Sequence, residues 1–155
     1  MSQTLAQYDQ ALDKPQKGQL YDLSPYSTLS FAAEAAIGYG GAVKLGTNKE
    51  KQVLPVLAAG ETVFGIALFK FTKEQPDSGD AAYEANDTVS VLRSGRVWVE
   101  TSAAVTAGAD AFVVIADGAS EGKFTTTDDA NTEPVNGTFL TSTTEAGLAV
   151  VELNL

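Results

Sequence analysis

Short runs of alternating apolar and polar residues, separated by glycine- and asparagine-bearing breaks, recur along most of the chain. The clearest lies between residues 87 and 113. There Val89 and Val91 alternate with Ser90, the pattern breaks at Arg93, Ser94 and Gly95, and Val97, Trp98 and Val99 resume it. β-Branched arms around a Ser-Gly pair predict a β-hairpin that turns at Ser94-Gly95. Successive side chains of a strand point to opposite faces, so Val97 and Val99 face one way and Trp98, the single tryptophan, faces the other. Apolar weight on both faces predicts a strand covered on both sides, by a second sheet and, as a candidate for the other side, a partner subunit. Trp98 is then an anchor of a core or of an interface.

Similar runs flank this one. Residues 42–45 follow a glycine cluster at Gly38, Gly40 and Gly41. That cluster fails as a dinucleotide fingerprint because the third glycine would fall on Val43, and it predicts a bend leading into a strand. Residues 52–57 form a short strand whose Pro55 predicts a sheet edge or a bulge. Residues 62–71, TVFGIALFKF, are the most apolar strand, with Phe64, Ile66 and Leu68 on one face and Val63, Ala67, Phe69 and Phe71 on the other. A long polar loop over 72–86 should protrude. Further strands are predicted at 110–115, from 123, at 138–142 after an Asn136-Gly137 turn, and at 148–153. About nine short strands at regular spacing, without an amphipathic helix of useful length, predict a single-domain all-β barrel or sandwich.

Residues 1–30 read differently. They hold Pro15, Gly18 and Pro25, and their apolar residues, including Tyr8, Leu12, Leu20, Tyr21, Tyr26 and Leu29, follow no clean period beyond a short helical spacing over 5–12. The expected organisation is an extended N-terminal arm over 1–30 and a β domain over 31–155. Such a segment is either a poorly ordered terminus or an arm that orders when it lies on a neighbour.

Composition narrows the function. Hydrophobic residues make up 44% and charged residues 19%, as expected of a packed core. The formal charge is −10, from 20 acids and 10 bases, so the cationic footprint of a nucleic-acid binder is missing and an anionic membrane surface is disfavoured. Residues 1–96 carry nine bases against eleven acids. Residues 97–155 carry one base, Lys123, against nine acids, a net of −8. That imbalance serves solubility, or it steers the protein toward a basic patch on a partner. Cysteine and histidine are absent, which removes disulfides, thiol and Ser-His-Asp catalysis and the usual zinc sites. No basic segment followed by an apolar one marks the start of the chain, and no apolar run spans a bilayer, so synthesis in a cytoplasm and a soluble protein are expected.

Candidate chemistry is sparse. Asp77, Asp80 and Glu84, or Asp128, Asp129 and Glu133, offer clustered oxygens to a hard cation, but neither group has the EF-hand spacing. Solvated loop carboxylates are the simpler account, and no metal or cofactor is expected. A carboxylate pair for glycoside hydrolysis cannot be placed. The Asn86-Asp87-Thr88 and Asn136-Gly137-Thr138 acceptor patterns read better as turns. Binding or structure is favoured over catalysis.

The order of motifs is informative. Gly38-Tyr39-Gly40-Gly41-Ala42-Val43 is followed by Val63-Phe64-Gly65-Ile66-Ala67-Leu68, then by 83–92 (YEANDTVSVL) and Gly95-Arg96-Val97-Trp98-Val99, and the chain closes on Gly137-Thr138-Phe139-Leu140 and 147–153 (GLAVVEL). This succession resembles the structural cement, or head decoration, proteins of tailed bacteriophages. The resemblance runs from about Gly38 onward, and its most specific part is VSVL-x-x-GRVWV. It implies a small β-rich protein on the exterior of the virion, made in the host cytoplasm, which binds the major capsid protein between capsomers and reinforces the shell, commonly as a homotrimer. It carries no catalytic residue. Candidate subunit or capsid contacts are Tyr8, Leu12, Leu20, Tyr21, Tyr26, Phe31 and Trp98. The alternative is a receptor- or carbohydrate-binding β module of a virion fibre or tail, for which the expected repeat or coiled-coil stalk is not visible. A carboxylate-based hydrolase is the weaker third class.

Overall fold

A computed structural model describes residues 15–22, 25–69, 82–115 and 118–155. Eleven strands occur among them: β1 Ser27–Ala33, β2 Ile37–Gly38, β3 Ala42–Leu45, β4 Gln52–Pro55, β5 Gly65–Ala67, β6 Ala82–Tyr83, β7 Thr88–Glu100, β8 Asp110–Val114, β9 Phe124–Thr125, β10 Thr132–Phe139 and β11 Leu148–Asn154. A single 3-10 turn, Gly118–Ser120, is the only helical element among the described residues. Nine strands form one sheet in the order β1-β4-β3-β5-β7-β11-β10-β8-β9, and β2 pairs with β6 separately.

The large sheet closes twice. β1 pairs with β4 on one side and with β7 on the other, so β1, β4, β3, β5 and β7 make a closed five-stranded barrel. β7 then continues into a second wall, β7-β11-β10-β8-β9. A bridge between Thr101 and Phe124 and a hydrogen bond from Ser102 N to Phe124 O (2.9 Å) tie β9 back to the end of β7. The expected all-β barrel is therefore found, in doubled form, and closure removes most of the sheet edges that would otherwise template aggregation.

β7 serves both barrels because it is one continuous strand. The hairpin expected at Ser94-Gly95 does not form. Instead Ser27 pairs with Ser94 and Thr28 with Leu92, which leaves Arg93 as an extra residue, while β11 pairs without interruption from Glu100 to Ser94. A bulge of this kind reverses which face each residue takes. Before it, Val89 and Val91 point into the first core, and after it Val97 and Val99 point into the second, with Leu92 already there. Gly95 has φ 135, and a Cβ on it would lie 2.7 Å from the Tyr26 Cβ, so a Ser-Gly pair suited to a turn passes a bulge here. Asn136-Gly137 behaves likewise. β10 runs straight through it, with Asn136 at φ 59 and a register shift between Pro134 and Thr138, where a turn was expected.

Two further expectations are corrected. β4 lies between β3 and β1 rather than at an edge. Pro55 is tolerated because β1 pairs only with Gln52 and Val53, leaving the proline beyond the last β1 partner. The apolar stretch from 62 is a strand only over Gly65–Ala67. Ahead of Gly65 the faces interchange, so that Val63 joins Ile66 and Leu68 in the second core while Phe64 packs with Ala67 and Phe69 on the first. Phe71 lies outside the described residues.

Candidate functional site: an N-terminal strap and an open strand edge

The described N-terminal residues lie against the barrel. Gly18 N donates to Trp98 O (2.7 Å), Trp98 N donates to Gln19 O (2.9 Å) and Tyr21 N donates to Arg96 O (2.9 Å). Leu20 faces Val97 in an antiparallel bridge and packs on the second core. This strap runs antiparallel to β7 and is followed by β1, which takes up the same edge of β7 from Ser94 to Thr88. β1 begins at Ser27, so residues 27–30 of the segment expected as an arm are barrel wall.

Gly18 explains why the strap can sit so close. Its φ is +85, and a Cβ there would lie 2.7 Å from Gly40 N and 2.8 Å from Phe69 N, both backbone atoms. Phe69 N in turn donates to Gly18 O (2.8 Å). The strap is thus bonded to β7 on one side and to the chain after β5 on the other, through a residue that must lack a side chain.

Side chains add to this seam. Tyr21 meets Trp98 edge to face, with centroids 5.7 Å apart. Arg96, on the same outer face of β7 as Trp98, donates to Asp22 Oδ2 (2.8 Å) and to Glu152 Oε2 (2.9 Å). The hydrogen bond to Glu152, then that to Asp22, raises the guanidinium pKa further above its already high value. Lys17 and Lys123 both approach Glu100, each at 3.5 Å.

The structure divides the candidate contact residues into groups. Leu20, Tyr21 and Trp98 come together at the strap, with Leu20 and Trp98 half-buried and Tyr21 48% exposed. Tyr26 is 47% exposed beside Gly95. Phe31 is half-buried on the first core and meets Phe64 edge to face at 5.4 Å. Tyr8 and Leu12, and the short helix considered over 5–12, lie outside the described residues. Leu29, 46% exposed, belongs with these residues and was not among the sequence candidates. Its place in the uncharged run Tyr26–Phe31 was the available signal.

β1 pairs with β4 only at Ala32 and Ala33. From Ser27 to Phe31 its second edge has no strand partner among the described residues. Exposed edges are usually blunted by charge, proline or a bulge, and this one carries Ser, Thr, Leu, Ser and Phe. Such an edge can accept main-chain hydrogen bonds from an added strand, with Tyr26 and Leu29 beside it as apolar contacts.

Chemistry is thin elsewhere. Among the described residues no three His, Cys, Asp or Glu side chains gather in a metal-holding group. In the loop before β10, Asp129 accepts from Asn131 N (2.8 Å), and Glu133, within β10, accepts from Gly60 N (2.7 Å), so both carboxylates hold backbone. Asp77 and Asp80 of the other acidic group lie outside the described residues.

A doubled barrel with a strapped outer face and, among the described residues, an open and uncharged edge on β1 defines an all-β protein. The chain matches the family model of the structural cement protein (E217 gp24/Pam3 gp6) over residues 4–154 and belongs to that family of phage structural proteins. Its fold is similar to a chain of "The capsid of Myoviridae Phage XM1", with a TM-score of 0.74 and 23% identity over 90% of this chain and 89% of that one. A chain from the head fiber gp8.5 N base of bacteriophage phi29 aligns with a TM-score of 0.45 and 14% identity over 84% of this chain and 95% of that one. No curated protein matches the chain. The protein is a virion-associated structural component with an all-β fold.

Proposed function

We propose that this protein binds the outer surface of a phage head between capsomers, as a homotrimer, and stabilises the shell without catalysis or cofactor. The observation that carries the reading is the family match over nearly the whole chain. The open edge of β1 and the exposed Tyr21, Tyr26 and Leu29 supply a physical means. Burying that surface against the major capsid protein removes apolar area from water, so separating capsomers must expose it again. Three linked copies raise the effective concentration of the second and third contacts once the first has formed. The negative surface of residues 97–155 contributes to orientation and encounter rate, a share that salt screens.

The test is to add the protein to decoration-free shells of its own phage, score co-sedimentation, and measure the temperature at which the shells rupture. Binding with a raised rupture temperature is expected. Failure to co-sediment with mature shells would overturn the proposal and return the fibre module as the better account.

A further inference from the structure

Of the five asparagines in the chain, Asn136 alone is followed by glycine. It lies in β10 where the register against β8 shifts. Pro134 faces Phe112 and Thr138 faces Asp110, so Val135, Asn136 and Gly137 are set against Ala111. Asn136 is exposed, has φ 59, and lines a groove of about 350 Å³ together with Asp110 and Glu152. Asn86 provides a matched comparison. It is also exposed and has φ 73, but its successor is Asp87, whose N donates to Glu84 O (3.0 Å).

An asparagine side-chain carbonyl carbon can bond to the backbone nitrogen of the next residue, which closes a five-membered ring. Two things oppose closure: crowding by the successor's side chain and the backbone rotation that brings the atoms together. Glycine removes the first and eases the second. At Asn136 the regular ladder to β8 is already interrupted, and the bulge gives the backbone room that a regular pair lacks. At Asn86 the attacking nitrogen carries a side chain and is held in a hydrogen bond.

We infer that Asn136 is a site of spontaneous deamidation through a cyclic imide with Gly137. Gly137 N gives up its proton and bonds to Asn136 Cγ. The Cγ–Nδ2 bond breaks, and Nδ2 leaves as ammonia with that proton. Water then opens the ring. Its hydroxyl goes to one of the two ring carbonyl carbons, and its proton returns to Gly137 N as the bond between that carbon and the nitrogen breaks. Opening at Cγ gives aspartate, and opening at the main-chain carbonyl gives iso-aspartate, whose backbone runs through Cβ and Cγ. Both products place a new negative charge beside Asp110 and Glu152. Iso-aspartate also lengthens the backbone by a carbon between Val135 and Phe139, both fully buried in the second core. One of them must shift, and a close-packed interior resists that. In a structural component of a virion no fresh copies replace the altered ones, so the change accumulates with age.

The test incubates the folded full chain and follows the peptide around each asparagine by chromatography and mass spectrometry. Residue 136 should gain about one mass unit severalfold faster than Asn48, Asn86, Asn131 or Asn154. The product should separate into aspartate and iso-aspartate forms. The rate should rise with pH, because the attacking nitrogen must first lose its proton. Aged wild type should melt at a lower temperature than fresh protein. Asn136→Gly, which accommodates the positive φ, should neither gain mass there nor lose stability with age. Freshly made Asn136→Asp carries the charge without the longer backbone, and should melt above the iso-aspartate fraction of aged wild type. The wild-type peptide map decides the chemistry whether or not either variant folds. Mass gain at 136 no faster than at Asn86, aspartate as the single product, or a rate indifferent to pH would overturn the inference. Equal loss of stability in aged wild type and aged Asn136→Gly would overturn its consequence for the barrel.

Discussion

The core of the first barrel is richer in rings than that of the second. Tyr39 meets Tyr83 and Phe69 edge to face, and Phe31 and Phe64 pack on the same core. The second core is largely Val, Ile, Leu and Ala, with Phe124 and Phe139 its buried aromatics among the described residues. Their surfaces differ as well. The first barrel has the open edge of β1, whereas the second is closed through the Thr101–Phe124 bridge and carries most of the acidic excess. The exposed uncharged edge thus lies on one barrel, and most of the acidic excess on the other.

That contrast is not a division into two folding units. β3 and β5 bury one face in each core, as Ala42 against Val43 and Ile66 against Ala67 show, and β7 crosses both. Phe139→Ala in the second core should therefore lower the stability of the whole domain by about 3–5 kcal/mol, the usual cost of an aromatic cavity. Thermal unfolding followed by tyrosine and tryptophan signals should give one transition that moves as a unit. Two transitions, with the tyrosine-rich first barrel unaffected, would break the comparison into separate domains.

The strap gives the next largest effect. Gly18→Ala must place a Cβ against two backbone nitrogens at positive φ, and should cost about 2–4 kcal/mol. Gly60 has nearly the same φ, +84, but faces open space, so Gly60→Ala should cost only about 1 kcal/mol. Equal melting temperatures for the two variants would show that crowding at the strap contributes nothing.

Most of the architecture was legible in the sequence, and the misreadings share a cause. The bend at the glycine cluster located β3 as Ala42–Leu45, and an apolar run after Gly147 located the core of β11. Ser94-Gly95 and Asn136-Gly137 were read as turns, since positive φ at either place is what tight hairpins require. A bulge inside a barrel wall requires the same conformation, and local sequence does not separate the two. Strand partners decide, and β11 and β8 are far away along the chain. The strap was missed for a related reason: Gly18 is bonded to Trp98 and Phe69, contacts that no local period can announce. Trp98 was singled out as an anchor of a core or of an interface, and on its outer face the neighbour shown is Tyr21 of the same chain.

Tyr83 tests the aromatic core at smaller cost. Its hydroxyl donates to Leu68 O at 2.6 Å, and burial raises its pKa above the usual 10. Tyr83→Phe should cost about 1 kcal/mol at neutral pH. The sign of the pH effect follows from the raised value. Above pH 10 the unfolded chain releases this proton while the folded one keeps it, so stability falls as pH rises through that range. The variant should lose less stability than the wild type in an alkaline series. An identical alkaline slope would place the titration elsewhere.

The smallest effect separates what holds the strap from what decorates it. Asp22→Asn removes one of the two carboxylates on Arg96 and leaves Glu152 in place. The pair is partly exposed and screened, so the melting temperature should change little, and less still at high salt. The strap amides should report the same. Exchange at Trp98 N, which donates to Gln19 O, should stay slow in Asp22→Asn and quicken in Gly18→Ala. If Asp22→Asn released Trp98 N as fully as Gly18→Ala does, the ion pair and not the glycine-permitted backbone contact would be what fastens the N-terminal segment to the barrel.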